Sequence, residues 1–244
     1  MTLTYLPTGS REWPQHQLDA LFAEGFPPFI TADRAVKPLL GRIREWFADF
    51  DVMVLDDDVP VATGWGVPLA WDGRIASLPG GYTASLARAV EGREQGIDPD
   101  TLVVCGAVVA PERAGQGLAG QVLTALRELA AERGLPRVIA PVRPTVKHRY
   151  PLTPITEYAT WTRPDGTSFD PWIRTHQRLG ATILTPAPAS QTMTATVQEW
   201  EEWTGLSLPA SGKYVIPDGL SLLEIDRRAD LGTYVEPNVW MRHL

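Results

Sequence analysis

The residues of this sequence best arranged to do chemistry lie between Thr101 and Gly134. An apolar, β-branched run from Thr101 to Val109 stops at Ala110-Pro111. The loop Glu112-Arg113-Ala114-Gly115-Gln116-Gly117 then leads into an amphipathic helix that starts with Leu118 and Ala119. The first amides of such a helix have no intrahelical acceptor, and its macrodipole favours negative charge there. Gly115 and Gly117 remove the Cβ atoms that would hold a phosphate away from those amides. Strand, glycine loop and helix together predict a phosphate or pyrophosphate site. Gly115-Gln116-Gly117-Leu118-Ala119-Gly120 also satisfies the GxGxxG dinucleotide fingerprint. In a dinucleotide fold the first glycine follows its strand almost at once, whereas here Ala110 through Ala114 intervene. The next strand, ending near Val142-Arg143, offers no acid for a ribose hydroxyl, but its arginine could accept a 2′-phosphate. An NADP-linked oxidoreductase is therefore the alternative to be tested.

The flanking sequence supplies the elements that position this loop. Leu18, Leu21 and Phe22, and then Val36, Leu39, Leu40, Ile43, Trp46 and Phe47, have helical spacing, so the first fifty residues read as two short amphipathic helices. Val52 to Leu55 and Val59 to Leu69, separated by Asp56-Asp57-Asp58, read as an antiparallel pair. A connecting helix through Leu86, Ala89 and Val90 leads to the Thr101–Val109 strand, whose two apolar faces predict burial inside a sheet. The helix after the loop carries Leu118, Val122, Leu126, Leu129 and Ala130 on one face and stops at Arg133, Gly134 and Pro136. Arg137 to Val142 is the next strand. Residues 143 to 171 hold five prolines together with Tyr150, Tyr158, Trp161 and Phe169, which predicts an irregular but ordered excursion. Asp170-Pro171 caps a short helix that ends at Leu179-Gly180. Strands follow at Ala181–Thr185, Thr192–Val197, Tyr214–Ile216 and Tyr234–Trp240, with a helical turn at 199–203.

Composition narrows the class of partner. The 244 residues are 44% hydrophobic and carry a net charge of -7, with a pI near 5.1. No basic stripe is present, which argues against nucleic acid or an anionic membrane. Arginine outnumbers lysine 19 to 3, but the arginines are scattered. Cys105 is the single cysteine, so an internal disulfide and a cysteine-rich zinc site are both excluded. Its place in an apolar strand predicts an inert thiol. No apolar run approaches membrane length, the start lacks signal-peptide character, and a reduced cytoplasm fits best. One elaborated α/β domain spanning 1–244 is expected.

Val109-Ala110-Pro111-Glu112-Arg113-Ala114-Gly115-Gln116-Gly117-Leu118-Ala119 resembles motif A of the GNAT N-acetyltransferase superfamily, in which V-x-P precedes Q/R-x-x-G-x-G/A. Gly117 and Ala119 match the closing G-x-G/A. Ala114 stands where the family usually carries Gln or Arg, and Arg113 beside it is the available substitute. Downstream, His176-Gln177-Arg178-Leu179-Gly180-Ala181 has the spacing of the family's Y-x-x-L/F-G-F, whose tyrosine protonates the departing coenzyme A thiolate. That position falls on His176. Imidazole, whose ordinary pKa lies near working pH, can perform the role; a surface histidine near a helix C-terminus is the plain alternative.

The resemblance covers residues 30 to 185 and implies a mixed, mostly antiparallel central sheet flanked by helices. It implies acetyl-CoA as co-substrate, no metal, and direct attack on the thioester by a small-molecule amine. Backbone groups near Ala107 and Val109 would hold the pantetheine, and Arg113, Ala114, Gly115, Gln116, Gly117, Leu118 and Ala119 the pyrophosphate. Leu102 to Val109 contains no acid or histidine, so a base must come from elsewhere, with Glu94 or Asp98 acting through water as candidates. The insertion at 143–171, where His148, Arg149 and Tyr150 cluster, and the C-terminal portion 190–244 are expected to shape the acceptor pocket. The insertion could equally pack internally or form a homodimer contact. A non-catalytic acyl-CoA sensor is a further alternative, because Ala114 and His176 both depart from the family pattern.

Overall fold

The computed structural model describes residues 3–22 and 25–243. The chain opens with β1 (Leu3–Pro7), α1 (Gln15–Phe22) and α2 (Leu40–Trp46). A hairpin of β2 (Asp51–Asp56) and β3 (Val59–Leu69) precedes α3 (Tyr82–Glu94). Then come β4 (Thr101–Val109), α4 (Leu118–Glu132), β5 (Arg137–Val142), α5 (Ile155–Tyr158) and α6 (Pro171–Arg178). The C-terminal portion supplies β6 (Thr182–Ala195), α7 (Val197–Thr204), β7 (Gly212–Tyr214), β8 (Leu223–Asp226) and β9 (Leu231–Arg242).

The strands form one mixed sheet in the order β1-β2-β3-β4-β5-β9-β8-β7, with β6 on the other edge of β9. Every pairing is antiparallel except that of β4 with β5. Asp57 and Asp58 close the β2–β3 hairpin with φ of 48° and 66°, a geometry aspartate tolerates. On one face α4 buries Leu118, Val122, Leu123, Leu126 and Ala130. It approaches so closely that a Cβ on Gly64 would lie 2.3 Å from Val122. The other face carries α3 and the core around Trp71 and Trp240. A third cluster, with Phe29, Trp200 and Tyr234, underpins the C-terminal strands.

The expected β2–β3 pair, β4, the α4 stop and β5 all form, as does the irregular 143–171 excursion, which holds only short helical turns and one isolated bridge. Four features differ from the sequence reading. Residues 3–7, expected to belong to a helical region, form the edge strand β1 against β2. The two strands expected at 181–185 and 192–197 are one, β6, with a register shift between Ala187 and Gln191 that accommodates its prolines. β8 was not foreseen, because four residues give too short a pattern to read. β9 lies beside β5 at the centre of the sheet, so the C-terminal portion completes the core rather than extending it. No helix among the described residues is long and apolar enough to cross a membrane.

Candidate active site

β4 and β5 are paired only at Thr101–Arg137, Leu102–Val138 and Val103–Ile139. Beyond Val103 they diverge, and Pro141, two residues past the last pair, has no N–H to offer. The divergence leaves a cleft of about 280 Å³ between Val104, Gly106, Ala107 and Val109 on β4 and Ala140, Pro141 and Val142 on β5. Ladder groups of β4 that would otherwise be satisfied by β5 face this cleft, so an extended ligand with amide groups can continue the pairing. On the other edge of β4, Trp65 pairs with Gly106 and Gly66 with Val104, leaving Cys105 as the extra residue of a β-bulge. Gly106 lets the Trp65 ring lie against the strand, since a Cβ there would come within 2.3 Å of it.

At the far end of β4 the glycine loop opens α4. Gly115 and Gly117 have φ of +78° and +81°, and a Cβ on either would enter open space. Gly117 is the N-cap of α4, and no side chain caps that end. Residues 114–117 are exposed, which leaves the first-turn amides accessible to an anion. Leu118 is buried in the core and reaches the loop only through its backbone, while Ala119 lines the cleft. The expected substitute for a Gln or Arg at 114 is engaged differently. Arg113 pairs with Asp56 at 2.8 Å and its Nε donates to Gln116, so Gln116 braces the loop from within.

His176 is brought to the cleft by α6. Asp170, as predicted, caps that helix, accepting from the amides of Trp172 and Ile173. The same buried carboxylate accepts from Val146 N and Tyr158 Oη, both at 2.9 Å, which ties the insertion to the helix. Asp170→Ala is therefore expected to lower unfolding stability by about 2–4 kcal/mol, through the lost cap and the stranded buried donors. Urea unfolding measures it, and a loss below about 0.5 kcal/mol would show the network to be dispensable.

His176 itself is 1% exposed, which replaces the surface-histidine reading. Its Nδ1 lies 2.8 Å from Nε2 of His243, a residue just beyond β9. Burial, and then His243, push the His176 pKa down to about 3; burial, and then Arg127, push that of His243 down to about 4. Both rings are neutral at neutral pH, so the expectation of an imidazole titrating near working pH does not hold. One ring must donate to the other, and His176 Nε2 and His243 Nδ1 have no protein partner.

A second cavity, of about 610 Å³, shares Phe26, Cys105, Pro141 and Arg143 with the cleft. The two therefore meet at the β4 bulge. Its walls include Phe22, Ile30, Asp33, Trp65 and Tyr82 from the first half of the chain, and Gln191 and Asn238 from β6 and β9. Of the regions expected to shape such a pocket, the C-terminal portion contributes and most of the insertion does not. Tyr150, Tyr158, Trp161 and Phe169 pack on one another at ring separations of 5.0–6.2 Å. His148 and Arg149 line neither cavity, and the His148 ring contacts the Thr145 carbonyl.

Ala107, Val109, Ala119 and His176 thus come together as expected, but Glu94 does not join them. It forms a surface ion pair with Arg42 at the end of α3 and lines neither cavity. Asp98 lies on a separate groove with Trp46 and Arg133. Cys105 faces both cavities, yet burial raises its thiol pKa, which keeps it from being a thiolate nucleophile. Cys105→Ala should retain most activity, and intact-mass analysis after incubation with acetyl-CoA should find no adduct on Cys105; an acyl-cysteine would overturn direct transfer. Asp33, Tyr82, Gln191 and Asn238 were not singled out from the sequence, and Arg143 was considered only as a partner for a 2′-phosphate. They converge from five separate segments, and no local spacing marks them.

Residues 15–152 match the Acetyltransferase (GNAT) family. The chain belongs to that family, and its activity is the acetyl-CoA-dependent N-acetylation of an amine. A curated relative, the arginine N-acetyltransferase avaD of Aspergillus versicolor, is 33% identical over 259 residues, covering 94% of this chain and 87% of that protein. Among solved structures, the loading GNATL domain of CurA from Lyngbya majuscula superposes with a TM-score of 0.61 at 16% identity, covering 100% of this chain and 98% of that one. The GphF GNAT-like decarboxylase, in complex with isobutyryl-CoA, gives 0.56 at 17% identity, covering 99% of this chain and 98% of that one. At such identities these two likenesses establish the fold. The dinucleotide and sensor alternatives receive no support.

Proposed function

We propose that this N-acetyltransferase acts on a small basic acceptor of the arginine class, as its relative avaD does by name. The observation that carries the reading is the meeting of a β-edge cleft, at the Cys105 bulge, with a second cavity that carries the carboxylate of Asp33. Acetyl-CoA enters by the cleft, its pantetheine pairing with the free edge of β4 near Ala107 and Val109. Its pyrophosphate lies on the amides of Gly115 to Ala119. The acceptor amine comes from the second cavity, attacks the thioester carbon, and expels the coenzyme A thiolate as the C–S bond breaks. The amine loses one proton and the thiolate gains one. With His243 Nε2–H donating to His176 Nδ1, the His176 proton sits on Nε2, which on this reading hydrogen-bonds the sulfur as charge develops. Residues 1–244 act as one unit on this reading, since β9 completes the sheet that forms the cleft.

The test is thiol release from acetyl-CoA with a panel of amines that includes arginine, with NADP titrated in parallel. Turnover with basic amines and no NADP binding is the expected result. No thiol release with any amine would sink the proposal.

A further inference from the structure

Asp33 is the one acid among the described residues that lines the second cavity, and its charge environment is unusual. It is 3% exposed. Its Oδ1 accepts from the amides of Ala35 and Val36 at 3.0 and 3.4 Å, and its Oδ2 from Thr83 Oγ at the head of α3. All three donors are neutral, and among the described residues Asp33 has no ion-pair partner. The other fully buried acids differ. Glu236 is paired with Arg143. Asp170 caps α6, receives five donors, and lines neither the cleft nor the second cavity. A buried carboxylate without a cation is costly to keep, and the cost falls when a ligand supplies the countercharge.

We propose that Asp33 selects the acceptor by receiving its second, non-reacting cationic group, so that the substrate class is amines bearing a guanidinium or ammonium remote from the nitrogen acetylated. This rests on the N-acetyltransferase reading above. The cavity runs from the bulge at Cys105 to Asp33, and the Tyr82 hydroxyl is within electrostatic reach of both. Between those ends the walls are apolar and aromatic, with Phe22, Phe26, Ile30 and Trp65, suited to a methylene stem. The cavity's own cations do not neutralise Asp33: Arg143 is held by Glu236, and Lys37 and Arg44 are exposed at the rim. A neutral acceptor of the same shape would leave the carboxylate buried, partly desolvated and unmatched, which is the strongest basis for discrimination a polar pocket has.

The experiment compares kcat/KM at saturating acetyl-CoA for two pairs of acceptors that differ in the distal cation, arginine against citrulline and lysine against norleucine, in the wild type and in Asp33→Asn. Asparagine keeps an oxygen for the Ala35 and Val36 amides, and the Thr83 hydroxyl can turn to accept from its amide. The wild type is expected to prefer the cationic member of at least one pair by about 100-fold or more. Asp33→Asn should lower kcat/KM for that member by about 100-fold, change the neutral member by less than about threefold, and leave the Kd for coenzyme A within about twofold. An unchanged preference in the variant, or an equal fall for both members, overturns the assignment. Should the variant not fold, the wild type alone decides, because equal use of cationic and neutral members excludes the role. Absence of turnover with every amine would instead defeat the acetyltransferase reading itself.

Discussion

His176→Ala is expected to lower kcat about a hundredfold while leaving KM for acetyl-CoA within about twofold, because a hydrogen bond to sulfur matters chiefly as the thiolate forms. The ring is buried on the cleft wall, edge-on to Trp172 at 4.5 Å, and its Nε2 has no protein partner. A tyrosine at the position should retain more activity than alanine, since its hydroxyl can donate into the 280 Å³ cleft. The pH dependence separates this role from that of an ordinary imidazole. An imidazolium donor titrating at its usual 6.5 would lose its proton above that pH and impose an alkaline limb there, whereas the buried pair, pushed down to about 3 and about 4, stays neutral through that range. Stability carries the complementary signature. Below about pH 6.5 an unfolded chain binds protons that the folded pair refuses, so stability falls as pH falls, by about 1.4 kcal/mol per pH unit for each histidine. Asp51, pushed up to about 7 by burial, acts with the opposite sign over the same interval, but it does so equally in both proteins. His176→Ala should thus show a shallower loss of stability from about pH 6.5 to about pH 5 than the wild type. Wild-type kcat in the alanine variant would remove His176 from the chemistry.

What could be read from the sequence was whatever is written locally. The β4–loop–α4–β5 unit declares itself through a β-branched run, two glycines, an apolar helical stripe and an Arg-Gly-x-Pro stop, all within about forty residues. The cap at Asp170 is likewise a two-residue signal, and it correctly placed α6 and with it His176. What was hidden depends on contacts between distant positions. His243 reaches His176 across 67 residues, and nothing near either one signals the other. Burial of that pair reversed the expected protonation chemistry, since a ring's pKa follows from desolvation that only the fold defines. The nomination of Glu94 failed for a similar reason: proximity in sequence to β4 says nothing about direction, and the end of α3 points to solvent and Arg42. Asp33 has no periodic neighbour to mark it. It becomes conspicuous only when Thr83, fifty residues away, and the cavity wall are placed beside it.

Gly117→Val is the most direct test of the proposed pyrophosphate loop, and it should raise the Kd for coenzyme A at least tenfold, about 1.4 kcal/mol or more. Two effects combine. The residue holds φ at +81°, a conformation in which a β-branched side chain is strained by roughly 1–2 kcal/mol, so the loop tends to leave the arrangement that presents its amides. The new side chain also enters space that no protein atom fills within 4 Å, the space that the proposed site gives to a phosphate at the first turn of α4. Gly134 provides the control, because it stands just past the other end of the same helix with φ of +72° and equally open surroundings. Gly134→Val carries comparable backbone strain far from the loop, so it should lower the melting temperature similarly while leaving coenzyme A affinity unchanged. Isothermal titration of both variants, each confirmed folded by circular dichroism, separates ligand exclusion from general destabilisation. Equal affinities for the two would mean that the anion binds elsewhere, and the loop would then be structural, held by Arg113, Gln116 and Asp56 for its own sake.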